Sequence, residues 1–307
     1  MDLSSILGLG QTALELGLIC SLTVLALYLS YTMLNVCDLS TDGCFTLGAV
    51  VGAQVAIAGH PFLAIFAAMG AGMLSGFITA LLQTKMGINS LLAGIVVNTG
   101  LYSINIAIMG GAALLNMNKT ETVFTMMKNA LSGTAMSGTY KLWVAVIAVV
   151  LVVIFLTLFL RTRLGLSIRA TGDNPSMVRS SSIDTTVMTI VGLCISNAFT
   201  GLSGCLLAQS QKSVSIDIGS GMVTMALAAL LIGSTIIPRG SIFVRALGAV
   251  LGSFIFRLVY TIALRFNMPA FMLKLVSSLI VIIAIFIPYI RQQWPTIKRR
   301  YTGRRAK

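Results

Sequence analysis

The sequence predicts an all-α polytopic membrane protein with about nine transmembrane helices, one of them broken, and a short cytoplasmic helix between two spans. Three observations carry that expectation. First, 57% of the 307 residues are apolar and only 9% charged, whereas a globular domain carries roughly 25% charged residues. With a mean hydropathy of +0.96, too many apolar side chains are present for a soluble fold of this size to hide. Second, they gather in runs of about 20, the length that crosses a hydrocarbon core of roughly 30 Å. Third, Lys and Arg concentrate in alternate connections and in a basic tail, the pattern of charges kept on the cytoplasmic side.

The first run, 11–34, follows ten residues without Lys or Arg and is long enough to stay in the membrane, so no cleavable signal is expected. The second, 43–59, is short and Gly-rich and follows the polar stretch CDLSTDG. It reads as a broken or re-entrant helix rather than a plain crossing. His60 and Pro61 read as a loop before the third run, 61–83, and Lys85 separates that from the fourth, 88–113. The connection at 114–140 carries Asn116, Asn118, Lys119, Glu121 and the stretch SGTAMSGT, a partner-facing surface or a solvated linker. The fifth run, 141–160, leads into the longest polar segment before the tail, 161–186. The sixth, 187–208, presents Gly192, Ser196, Thr200, Gly204 and Ala208 at every fourth position. The runs 221–237, 240–264 and 269–290 complete the set, with Arg257 and Lys274 only toward the ends of the last two. GxxxG pairs at Gly48/Gly52, Gly72/Gly76 and Gly248/Gly252 mark faces where backbones approach closely in lipid.

Placing 161–186 inside puts fourteen basic residues on the cytoplasmic side (Lys85, Arg161, Arg163, Arg169, Arg179, Arg239, Arg245 and seven in the tail) and five outside (Lys119, Lys128, Lys141, Lys212, Arg265). The C-terminus is then cytoplasmic and, with nine crossings, the N-terminus outside. Residues 1–290 form a transmembrane domain and 291–307 a basic cytoplasmic tail. That tail also accounts for much of the excess of 21 basic over 8 acidic residues, so no nucleic-acid partner is implied.

The chemistry-bearing residues exclude several classes. Five scattered cysteines without a CxxC pair read as buried thiols. One histidine, His60, builds neither a zinc motif nor a His-based triad. No GxxxxGK[ST] loop occurs, so the chain is not itself a P-loop ATPase. No cofactor, metal or catalytic residue is expected.

Polar residues within spans are expensive and mark function or pairing. Asn98, Thr99 and Asn105 share one run, Asn197 lies in another, and Asn35 and Asp38 close the first. Asn98 and Asn105, seven residues apart, fall on one helix face. They either bond neighbouring helices or line a substrate route. Glu15 and Arg257 are expected near interfaces. No chain of buried carboxylates or histidines suggests proton coupling. In the inner segment, Asp173, Asn174 and Pro175 read as a helix start, a cap followed by proline at the first helical position. A helix over PSMVRSSSI would carry Met177, Val178 and Ile183 on one face and Arg179 with the serines on the other.

That segment resembles the cytoplasmic coupling segment of bacterial ABC importer permeases of the branched-chain amino acid and ribose group. Thr162, Arg163 and Gly165 match the group's T-[RK]-x-G, and Ala170, Gly172, Asn174 and Ile183 its A-x-G-x-N…I run. Ser182 stands where the group usually has glycine. CDLSTDGCFTLGA at 37–49 is similar to the group's entry into a broken second helix. ATGDNPSMVRS, LLAGIVVNT at 91–99 and IMGGAALL at 108–115 are most similar to tryptophan/tyrosine-type amino acid importer permeases. The resemblance implies a permease subunit without enzymatic activity of its own, carrying a small solute such as an aromatic or branched-chain amino acid across a bacterial cell membrane. It further implies a separate cytosolic ATP-binding cassette ATPase, an extracellular or periplasmic substrate-binding protein, and a second permease copy in a homodimer. On it, Arg169, Gly172, Asp173, Asn174, Pro175, Met177, Val178 and Arg179 couple to the ATPase, Met177 and Val178 filling its groove. Asn35, Asp38, Asn98, Thr99, Asn105 and Asn197 line the pathway. Two other classes compete with this reading. An ion-coupled carrier would show inverted repeats, and a membrane enzyme needs more acids than Asp38, Asp42, Asp173 and Asp184 offer.

Overall fold

A computed structural model describes residues 3–130, 138–265, 275, 277–283 and 286. Helix α1 (Leu3–Leu27) continues through a π-helical stretch, Tyr28–Met33. There follow α2 (Thr41–Ile57), α3 (Pro61–Thr84), α4 (Ser90–Ile108), strand β1 (Leu114–Asn116), α5 (Val123–Ala130) and α6 (Tyr140–Phe159). Beyond them come α7 (Arg163–Asp173), α8 (Pro175–Ser180), α9 (Thr185–Gln211), strand β2 (Ser213–Ser215), α10 (Met222–Ile236) and α11 (Ile242–Arg265).

Six helices among the described residues are long and apolar enough to span a membrane: 10–33, 61–84, 90–108, 140–159, 185–211 and 242–263. The expected count of nine is therefore corrected. The runs 43–59 and 221–237 do form apolar helices, but α2 and α10 have only 17 and 15 residues. At 1.5 Å per residue these reach about 26 and 23 Å, short of a full core. Each follows a non-helical stretch that occupies part of the bundle's depth, and a hydropathy run does not register that. The candidate at 269–290 falls largely outside the described residues, and the tail 291–307 entirely so.

Helices α1 and α9 are buried along most of their length, with α2, α3 and α11 packed on them. The small-residue faces are where backbones meet. Gly48 and Gly52 of α2 lie against Gly201 and Cys205 of α9, and Gly72 and Gly76 of α3 lie against the Asn197 and Leu193 carbonyls. A Cβ at Gly204 would overlap the Phe45 carbonyl oxygen. Hydroxyls tie α9 and α11 to α1: Ser196 Oγ donates to the Ala26 carbonyl at 2.7 Å, Ser203 Oγ to Ile19 at 2.7 Å and Ser253 Oγ to Gly17 at 2.8 Å. The outer faces of α3, α4 and α6 leave Phe66, Leu74, Val96, Leu151 and Leu158 exposed, a lipid-facing surface rather than a soluble one.

Two breaks position the interior. Asn35 takes a left-handed backbone (φ 56°) and ends the first span; the chain turns back into the bundle and restarts as α2 at Thr41. Lys212 (φ 54°) ends α9, and Gly221 (φ 83°) opens α10. Between them β2 pairs antiparallel with β1, Leu115 opposite Val214. The connection at 114–130 is thus folded onto the bundle, with the Val123 amide donating to Gln209 Oε1 at 2.9 Å.

Candidate functional site

The restarting ends of α2 and α10 come together around Asp42. In the first turn of α2, its carboxylate accepts from the Gly221 amide at 3.0 Å and the Val223 amide at 2.8 Å, at the start of α10. One acid therefore sits at two positive helix ends, which favours its negative charge. Asp38 plays a parallel part before α2. It is 1% exposed, accepts from the Ser40 amide (2.8 Å) and hydroxyl (2.6 Å), and takes a 2.7 Å bond from Asn197 Nδ2. All of these partners are neutral.

Beside Asp42 a cavity of about 340 Å³ opens between α2, α4 and the turn before α10. Asp42, Gly43 and Thr46 form one wall, Asn98, Thr99, Tyr102 and Asn105 a second, and Ile216, Asp217 and Ser220 the third. Asn98 and Asn105, two helical turns apart, line it together. Asn105, 1% exposed, donates to the Gly43 carbonyl at 3.3 Å, and its Oδ1 finds no partner among the described residues. Thr99 is exposed, its hydroxyl bonded to the Ile95 carbonyl at 2.9 Å.

Of the six residues expected on a pathway, Asn98, Thr99 and Asn105 meet at this cavity, whereas Asp38 and Asn197 bond each other and are absent from its lining. Asn35 is the exposed residue of the first break, also outside the lining. Asp42, Thr46, Tyr102, Asp217 and Ser220 were not singled out from sequence. Asp42 is legible only through its bonds to residues about 180 positions away.

The basic end of the bundle is built by caps. Thr162 Oγ accepts from the Gly165 amide at 3.3 Å to start α7, and Gly165 fits against the Phe159 carbonyl. Asn174 Oδ1 accepts from the Met177 amide at 3.1 Å to start α8, with Pro175 at the first helical position. Asp184 Oδ1 accepts from the Thr186 amide at 2.8 Å to start α9, a bond that holds its carboxyl below the usual carboxylate range. Gly172 packs on the Met33 carbonyl and joins α7 to the first span. Arg169 is half-buried and Asp173 exposed. Arg179 Nε donates to Thr185 Oγ at 3.0 Å.

Met177 and Val178 do not share a face. Val178 is 4% exposed and packs into the bundle, while Met177 is 67% exposed. Adjacent residues on a helix point about 100° apart, so a six-residue helix lying on a bundle buries one and presents the other. The helix also ends sooner than PSMVRSSSI suggests, because Ser182 turns left-handed (φ 60°). Among the described residues no group of three His, Cys, Asp or Glu could hold a metal.

Residues 11–286 match the family described as the permease component of branched-chain amino acid transport systems. A tyrosine transport system permease protein of Clostridioides difficile is 32% identical over 267 residues, which is 87% of this chain and 86% of that one. An uncharacterized protein of Rickettsia prowazekii is 30% identical over 282 residues, 89% of this chain and 95% of its own. An autoinducer 2 import system permease protein of Escherichia coli is 25% identical over 136 residues, 44% of this chain and 39% of that protein. No solved structure matches.

Proposed function

Because the chain belongs to the branched-chain amino acid transport system permease family, we propose that it carries an amino acid, and that the cavity beside Asp42 is a segment of the route. The chain is a multi-pass membrane protein and the permease subunit of an ATP-binding cassette importer for a small solute. The observation that carries the proposal is the meeting of Asn98, Thr99 and Asn105 of α4 with the first turn of α2 around one polar cavity. A polar wall facing a cavity keeps its groups hydrated, whereas the same wall against acyl chains would leave them unpaired. The relative from Clostridioides difficile bears tyrosine in its name, which favours an aromatic amino acid over other small solutes.

The remaining parts follow the same reading. ATP is hydrolysed by a separate cytosolic subunit that docks on α7 and α8 through exposed Met177, with Arg169, Gly172, Asp173, Asn174, Pro175 and Arg179 shaping and presenting that surface. Val178 anchors it from within. An external binding protein delivers the solute, and a second copy of this chain completes the transporter. The basic end and the C-terminus face the cytoplasm of a bacterial cell. ATP-driven closure shifts the population between access states. Ion-coupled carriage is set aside because the family is one of transport-system permease components.

The test is uptake of labelled L-tyrosine by proteoliposomes holding the permease, its ATPase and its binding protein. Thr99→Trp, which fills the cavity from an exposed position, is expected to abolish uptake while the complex still assembles. Undiminished uptake by that variant would remove the cavity from the route.

A further inference from the structure

At the basic end of the bundle two arginines meet over one aromatic ring. Arg245 of α11 holds its Cζ 5.8 Å from the centre of the Tyr28 ring, where the π-helical stretch of the first span begins. Arg169 of α7 lies close enough for its charge to act on the same phenol. Tyr28 is buried, and both arginines are half-buried. Two like charges held together out of bulk water repel each other unless an anion joins them. Arg245 bears a second cost. It stands in the first turn of α11, which contains no acidic residue, at the helix end that disfavours a cation.

The described chain does not supply that anion. Neither arginine forms a hydrogen bond or an ion pair among the described residues. No Asp or Glu follows Asp217 in the sequence. Of the acids before it, Asp38 is bonded to Asn197, Asp42 to the amides that open α10, and Asp184 to the start of α9. Asp173, at the far end of α7, is exposed.

The surroundings indicate which anion fits. The same two helices expose apolar side chains, Phe243, Val244 and Leu247 on α11 and Leu164 and Leu166 on α7. A basic pair flanked by exposed apolar residues suits the boundary between acyl chains and headgroups, where basic pockets between spans take anionic lipids. A guanidinium matches a phosphate with two parallel N–H bonds.

We propose that Arg169 and Arg245 bind the phosphate of an anionic membrane lipid of the phosphatidylglycerol type, with the Tyr28 ring as the wall on which Arg245 rests. The bound lipid fastens α7 to α1 and α11. The identity of the transported solute plays no part in this site.

The permease–ATPase complex, purified in mild detergent, is incubated with dioleoylphosphatidylglycerol or dioleoylphosphatidylcholine, and retained lipid is counted by native mass spectrometry. Phosphatidylglycerol is expected to be retained in preference to phosphatidylcholine, and inorganic phosphate is expected not to displace it. Arg245→Gln is expected to weaken retention about fivefold, the scale of one arginine at an anionic surface. Arg239→Gln, at an exposed arginine just before α11, is expected to leave it unchanged. Phosphatidylglycerol with a photoreactive headgroup tests the native complex without any variant, and is expected to label segments 163–173 and 242–251. Equal retention of the two lipids overturns the proposal, as does displacement by inorganic phosphate or labelling confined to other segments. Undiminished retention by Arg245→Gln, or an equal loss in Arg239→Gln, overturns it too. Retention by the permease alone that vanishes once the ATPase is bound also overturns it, and assigns the pair to an acidic surface of the ATPase instead.

Discussion

Ser182 holds a left-handed backbone (φ 60°) at the turn between α8 and α9, a conformation that costs a residue with a Cβ roughly 1–2 kcal/mol. Ser182→Gly is therefore expected to raise stability by about 1 kcal/mol, measured by thermal unfolding of the purified protein in detergent. An unchanged midpoint would mean that the turn relaxes without cost. The sequence carried a signal for this position, since glycine is usual there in the group the segment resembles. Asp38 carried less. Its polarity within an apolar stretch was plain, but its partnership with Asn197 spans 159 positions and depends on how the chain re-enters the bundle. Asn197→Leu leaves Asp38 Oδ2 without that donor, and a loss of roughly 2 kcal/mol of stability is expected. Full stability in that variant would show that the carboxylate finds another donor. Asn98 and Asn105 were readable because a helix repeats its face every two turns. Asp42 and Asp217 were not, because no periodicity links a first turn of α2 to a loop before α10.

The short element α8 divides its two apolar residues between interior and solvent, and the two should fail differently. Met177→Asp is expected to leave the fold and the unfolding midpoint intact while abolishing ATP-driven uptake. Val178→Asp places a charge at a position only 4% exposed and is expected to cost about 3 kcal/mol of stability. If Met177→Asp transports normally, α8 does not dock on the ATPase through its exposed face. The helix start at Asn174 and Pro175 was legible because a cap and a proline act locally. Which side chain turns inward was not, because α7 and α9 fix the pose of a helix too short to do so itself. The same limit explains α2 and α10. Their apolar character was legible, and so was their shortness, since the runs 43–59 and 221–237 are little longer than the helices they form. How they seat in the bundle was not, because Asn35 and Lys212 redirect the chain by backbone conformation.

Across the whole molecule, small residues bring α2 and α3 onto α9 closely enough for backbone contact, and two chain breaks place the starts of α2 and α10 beside α4. Packing of this kind is written into the sequence as GxxxG pairs and a four-residue ladder, so the bundle was foreseeable while the count of full spans was not. The proposed route requires the space between these elements to be wet and to change with the transport cycle. It is tested by placing Asn98→Cys and Thr99→Cys, one at a time, in a background whose five native cysteines are replaced. The rate of modification by a small membrane-impermeant thiol reagent is then measured with and without trapped ATP. Both positions are expected to react, with rates that change when ATP is trapped. Inertness of both in every nucleotide state, with uptake retained, would contradict it.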